Sequence, residues 1–142
     1  MLYVPLLIWI GVIFLLSSSQ GSSGRTSMII RPILEFLFPS ASNDTLLFYH
    51  GIIRKCAHFT EYAVLGMLAC RAFRRPTNRY IPMALGLVLL VASVDEFNQS
   101  FNPLRTGSPW DVAVDVSGGV VAILMYFLLA RRNRDVDSRL TR

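Results

Sequence analysis

Four apolar stretches constrain this 142-residue chain more than any other feature. They are "LYVPLLIWIGVIFLLSSSQ" at 2–20, "GIIRKCAHFTEYAVLGMLACRAF" at 51–73, "YIPMALGLVLLVASVDEF" at 80–97 and "AVDVSGGVVAILMYFLLA" at 113–130. Each approaches the length that crosses roughly 30 Å of hydrocarbon as a helix. With 53% hydrophobic and only 16% charged residues, the composition is far from that of a charged soluble surface. The expectation is an all-α membrane protein: four transmembrane helices in one domain spanning 1–142, with a basic tail at 131–142.

The first run ends in "SSSQGSSG", small residues that would suit signal-peptide cleavage, but no Lys or Arg precedes its apolar core. An uncleaved span is therefore expected. Between the first two runs, "SMIIRPILEFLFP" combines apolar residues with Arg31 and Glu35, which suits an interfacial helix broken around Pro32 and stopped by Pro39. Cys56 and Cys70 lie on one predicted helix about 21 Å apart, too far to pair with each other.

Basic residues set the expected direction. Arg71, Arg74, Arg75 and Arg79 crowd one connection without an acid, and Arg131, Arg132, Arg134, Arg139 and Arg142 outweigh Asp135 and Asp137 in the tail. The positive-inside rule makes both clusters cytoplasmic, and four crossings then put both termini inside and the 21–50 and 98–110 connections outside. The net charge of +5 is thus spent beside apolar runs, and no nucleic-acid partner is implied.

In that arrangement the intramembrane polar residues meet at one depth. Arg54, Lys55, His58, Glu61 and Tyr62 fall in the outer half of the second run, Asp95, Glu96 and Gln99 at the outer end of the third, and Asp111 and Asp115 at the start of the fourth. Arg105 lies in the outer connection. At about 100° per residue the polar set of the second run covers roughly a third of the helix circumference, so it can point inward as one stripe. A charge near the bilayer centre costs on the order of 2.5–3.5 kcal/mol, which favours pairing inside the bundle over exposure to lipid. Three cations, Arg54, Lys55 and Arg105, stand against five acids, Glu61, Asp95, Glu96, Asp111 and Asp115. A divalent cation or a retained proton at the acidic cluster would take the excess negative charge. Gly118 and Ala122, like Gly66 and Cys70, are four apart and allow close helix approach.

Individually these residues have simpler explanations. Arg54 and Lys55 can snorkel to headgroups, Ser108-Pro109-Trp110-Asp111 reads as a helix start, and a lone His58/Glu61 pair is more often a hydrogen-bonding pair than a metal site. Their convergence supports two readings. In one, Arg54, Lys55, Tyr62, Gln99, Arg105, Asp111 and Asp115 bind an amphiphilic envelope molecule, and His58, Glu61, Asp95 and Glu96 are the candidates for acid/base chemistry. In the other, the same residues are a non-catalytic interhelical staple that supports assembly.

The motifs "RKCAHFTEYAVLGML" and "DEFNQSFNPLRTGSPWDVAVDVSGG" resemble the VanZ-like membrane family. The resemblance rests on Lys55, His58, Phe59, Tyr62, Leu65 and Gly66, then Asp95, Glu96, Gln99, Pro103, Arg105, Asp111, Asp115 and Gly118, and on the Ser-Ser-Gln ending of the first run. Asp115 departs from it, standing where Asn is the more frequent residue. The resemblance implies a helical protein of the bacterial inner membrane and a link to resistance against teicoplanin-type lipoglycopeptides, while a lipid-linked or glycolipid envelope substrate belongs to the binding reading of the polar residues.

Overall fold

A computed structural model describes residues 2–17, 23–74, 79–101 and 109–140, with side chains over 2–17, 28–74, 79–101 and 110–132. Five helices follow one another: α1 Val4–Ser17, α2 Ser23–Leu37, α3 Asn43–Phe73, α4 Tyr80–Ser100 and α5 Pro109–Leu140. The centre of the bundle is α3, which packs most extensively on α5 and also on α4, while α4 and α5 close the third side. α1 lies across α3 and α4, and among the described residues α2 touches α3 alone.

The four-crossing expectation is not met. Among the described residues two helices are long and apolar enough to cross a membrane: Tyr80–Ser100 and the Trp110–Arg132 part of α5. α1 has 14 residues, which is about 21 Å of helix against roughly 30 Å of hydrocarbon. α3 has length to spare, at 31 residues, but Arg54, Lys55, His58 and Glu61 interrupt its apolar character. The inference that both termini are cytoplasmic rests on the four-crossing arrangement and loses that basis.

Two further boundaries differ. α2 runs unbroken through Pro32 and stops short of Pro39. α3 begins well before Gly51, at Asn43, because Ser42 caps it by accepting from the Thr45 amide at 3.3 Å. Arg31 ties α2 to this start, donating to Glu35 Oε1 and to Asn43 Oδ1, each at 2.7 Å.

The two crossing helices bury only 33% and 28% of their apolar stretches within the protein. A core helix of a soluble domain would be mostly enclosed, whereas Leu89, Leu90, Val94, Val121, Leu124, Leu128 and Leu129 point outward. The inward face of α4 carries Ala84, Val88, Val91 and Ala92, and α3 contributes Tyr62, Leu65, Ala69, Cys70 and Ala72. Leu6 and Ile13 of α1 and Ile123 of α5 complete this core. Continued toward the end of α4, the same face carries Asp95 and Gln99, both buried. The polar residues therefore occupy core positions.

Glycine permits the crossing of α3 and α5. A Cβ on Gly118 would collide with the backbone carbonyl oxygen of Phe59, and one on Gly66 would stand 2.8 Å from the carbonyl oxygen of Gly119. Neither obstacle is a side chain that can turn away. Gly118→Ala is expected to lower stability in detergent by at least about 1–3 kcal/mol, whereas Gly86→Ala, at a position open on all sides, leaves it near wild type. Thermal unfolding of the two variants side by side measures the difference.

Candidate functional site

The polar residues of α3, α4 and the start of α5 gather at one end of the bundle in two tiers. In the outer tier, Lys55 Nζ lies 3.7 Å from Asp111 Oδ1 and Arg54 Nη2 lies 3.9 Å from Asp111 Oδ2. The Lys55 side chain is half exposed and that of Arg54 a third exposed. These are loose, solvent-screened pairs that contribute little to stability. They line a narrow cleft together with His58, Gln99, Val114 and Asp115.

The deeper tier is more buried. Asp95 is fully buried and Asp115 is 1% exposed. His58 Nδ1 faces Asp115 Oδ1 across the α3–α5 crossing at 3.4 Å, beyond the usual hydrogen-bond range. Gln99 Nε2 donates to Asp95 Oδ2 at 2.9 Å and to Ser17 Oγ at 2.6 Å, and the Tyr62 hydroxyl donates to the same Asp95 oxygen at a longer 3.3 Å. One ligand-type atom from each of His58, Asp95 and Asp115 lies within 4.8 Å of the other two. Among the described residues these are the side chains placed to hold a metal ion.

Most of the residues singled out in the sequence thus converge: Arg54, Lys55, His58, Tyr62, Asp95, Gln99, Asp111 and Asp115. Glu61 and Glu96 are half-buried and do not line the cleft. His58 is matched across the crossing with Asp115 of α5. Arg105 and Pro103 lie outside the described residues. Two contributors from α1 went unrecognised in the sequence. Ser17 accepts from Gln99, and the Trp9 indole donates to the Glu61 backbone carbonyl at 2.9 Å. The one usable signal was the Ser-Ser-Gln ending.

Beyond the geometry, residues 2–130 match the model of the VanZ/LLP1 family. The chain belongs to the VanZ/LLP1 family. VanZ-like identity and the two apolar helices associate the protein with the lipid bilayer. No curated protein and no solved structure matches it. The family match covers all eight of the converging residues.

The hydrogen bonds of Asp95 differ in length, and their removal should follow that order. Gln99→Leu withdraws the donor shared by Asp95 and Ser17 and is expected to cost about 1–2 kcal/mol of stability. Tyr62→Phe removes only the longer bond and should cost less than about 1 kcal/mol. Denaturation in detergent ranks the two, and equal losses would contradict the distances.

Proposed function

We propose that this VanZ/LLP1-family protein binds the anionic headgroup of an amphiphilic envelope molecule at the cleft formed by α3, α4 and α5. The observation that carries the proposal is the outer tier: two cations, Arg54 and Lys55, held at a cleft entrance by a single distant carboxylate, Asp111. A phosphate or carboxylate oxygen offers both cations a closer partner and a charge-assisted hydrogen bond. Phe97, Phe101 and Trp110 are exposed at the same end of the bundle, where apolar chains of a lipid-borne ligand would lie beside them. A link to tolerance of teicoplanin-type lipoglycopeptides belongs to this reading, since those antibiotics act where envelope amphiphiles are displayed.

The orientation we propose uses only α4 and α5. Arg71, Arg74 and Arg79 flank the start of α4, and Arg131 and Arg132 follow the apolar part of α5. Both groups lie at the end opposite the cleft, where Arg74 Nη1 donates to the Tyr126 hydroxyl at 3.5 Å and the Arg131 guanidinium stands 5.0 Å over the Phe127 ring. The positive-inside rule turns that end to the cytoplasm and the cleft to the extracytoplasmic side of a multi-pass inner-membrane protein.

A second reading has its own support. The Ser17–Gln99–Asp95–Tyr62 hydrogen bonds join α1, α4 and α3, as a purely structural staple would. The tiers separate the two ideas. Replacing both outer cations, Arg54→Ala with Lys55→Ala, should strip bound anionic amphiphile from protein purified out of membranes, with stability within about 1 kcal/mol of wild type. Lipid mass spectrometry on the purified protein is the readout; unchanged lipid content in the double variant would sink the headgroup reading.

Orientation has a separate check. In a Cys56→Ser background, an impermeant maleimide should label Ser100→Cys in intact cells and Arg132→Cys only after permeabilisation. The reverse pattern would invert the proposed topology.

A further inference from the structure

Two buried carboxylates and an imidazole share the inner tier, and the nearby cations do not serve them. Arg54 and Lys55 turn to Asp111. Asp95 and Asp115 are each at least 99% buried, so their paired negative charge needs compensation within the protein. Protonated His58 would bring one positive charge against two negative ones.

Three buried atoms find no hydrogen-bond partner among the described residues at this place: His58 Nδ1, Asp95 Oδ1 and Asp115 Oδ1. They belong to the same three residues whose ligand atoms approach one another within 4.8 Å. The coincidence is informative because an unpaired buried carboxylate oxygen is costly, and here each of two neighbouring acids leaves one oxygen unpaired. The His58 Nδ1–Asp115 Oδ1 separation of 3.4 Å also fits: two ligand atoms about 2.1 Å from a common ion, at octahedral to tetrahedral angles, stand about 3.0–3.4 Å apart. The other Asp95 oxygen is held by Gln99 and Tyr62, the kind of outer support that fixes the direction of a ligating carboxylate.

We propose that His58, Asp95 and Asp115 form a binding site for one divalent first-row transition ion of the Mn²⁺ or Zn²⁺ class. One imidazole with two carboxylates is a borderline donor set that suits these ions better than an all-oxygen cage for Ca²⁺ or a thiolate site would. Two carboxylates neutralise the ion's charge with His58 neutral. Because His58 and Asp115 also line the cleft, the remaining coordination positions face it and are open to water or to an anionic oxygen. The site stands on the inner tier alone and does not require the headgroup reading, which depends on Arg54 and Lys55.

The test uses the full chain purified in an uncharged detergent, stripped with chelator and titrated with Mn²⁺, free ion being counted by electron paramagnetic resonance. Wild type is expected to bind one equivalent, with nitrogen coupling from the imidazole in the pulsed spectrum. Asp115→Asn and Asp95→Asn keep side-chain shape and should each weaken binding at least about tenfold. Asp111→Asn removes a carboxylate from the same cleft but outside the trio and should weaken binding less than Asp115→Asn does. No bound equivalent up to about 1 mM ion in parallel titrations with Mn²⁺ and Zn²⁺, or a loss in Asp111→Asn as large as in Asp115→Asn, overturns the proposal. Should the trio variants fail to fold, bound Mn²⁺ without nitrogen coupling in wild type overturns it as well.

Discussion

The contact of two helix backbones, α3 at Phe59 and Gly66 with α5 at Gly118 and Gly119, governs everything else in this molecule. His58 precedes Phe59 and Asp115 lies one turn before Gly118 and Gly119, so the spacing that lets the backbones touch also sets the distance between imidazole and carboxylate. A side chain at Gly66 or Gly118 would press on the facing backbone, so the helices would have to shift and the approach of His58 to Asp115 would loosen with them. Val88 of α4 lies against Gly119 as well, at 2.5 Å from the place a Cβ would take. The third helix is thereby drawn toward the same point, and Asp95 lies about two turns further along it.

Around that crossing, charge is sorted by depth. The exposed cations and Asp111 occupy the entrance, where water screens them and their mutual attraction is small. The carboxylates of Asp95 and Asp115 lie where screening is absent and every unpaired oxygen counts. One acid can therefore exchange partners at little cost while two others cannot, although all three stand within one cleft region.

Much of this was legible in the residues. The four-residue spacings of Asp95 with Gln99 and of Asp111 with Asp115, and the narrow polar stripe of α3, located the cluster because helix periodicity converts spacing into direction. The small-residue spacing on α5 pointed to Gly118, and the crossing uses Gly119 beside it as well. What periodicity could not supply was the number of crossings. An apolar run with Arg54, Lys55, His58 and Glu61 in it has the length of a span without the hydropathy of one. Pro32 failed as a break because α2 passes through it, a tolerance that depends on surroundings rather than on the residue itself. The division of the cluster into loose and buried tiers was equally hidden, since burial is a property of neighbours.

The attachments of α1 have a consequence for the order of assembly. Its indole and hydroxyl bond to groups 52 and 82 residues later in the chain. During synthesis from the N-terminus, α1 is made before α3 and α4, yet its docking contact with α4 cannot form until residue 99 has emerged. A helix made earlier therefore waits for one made later, and Ser17 reports the arrival of α4 rather than the onset of folding.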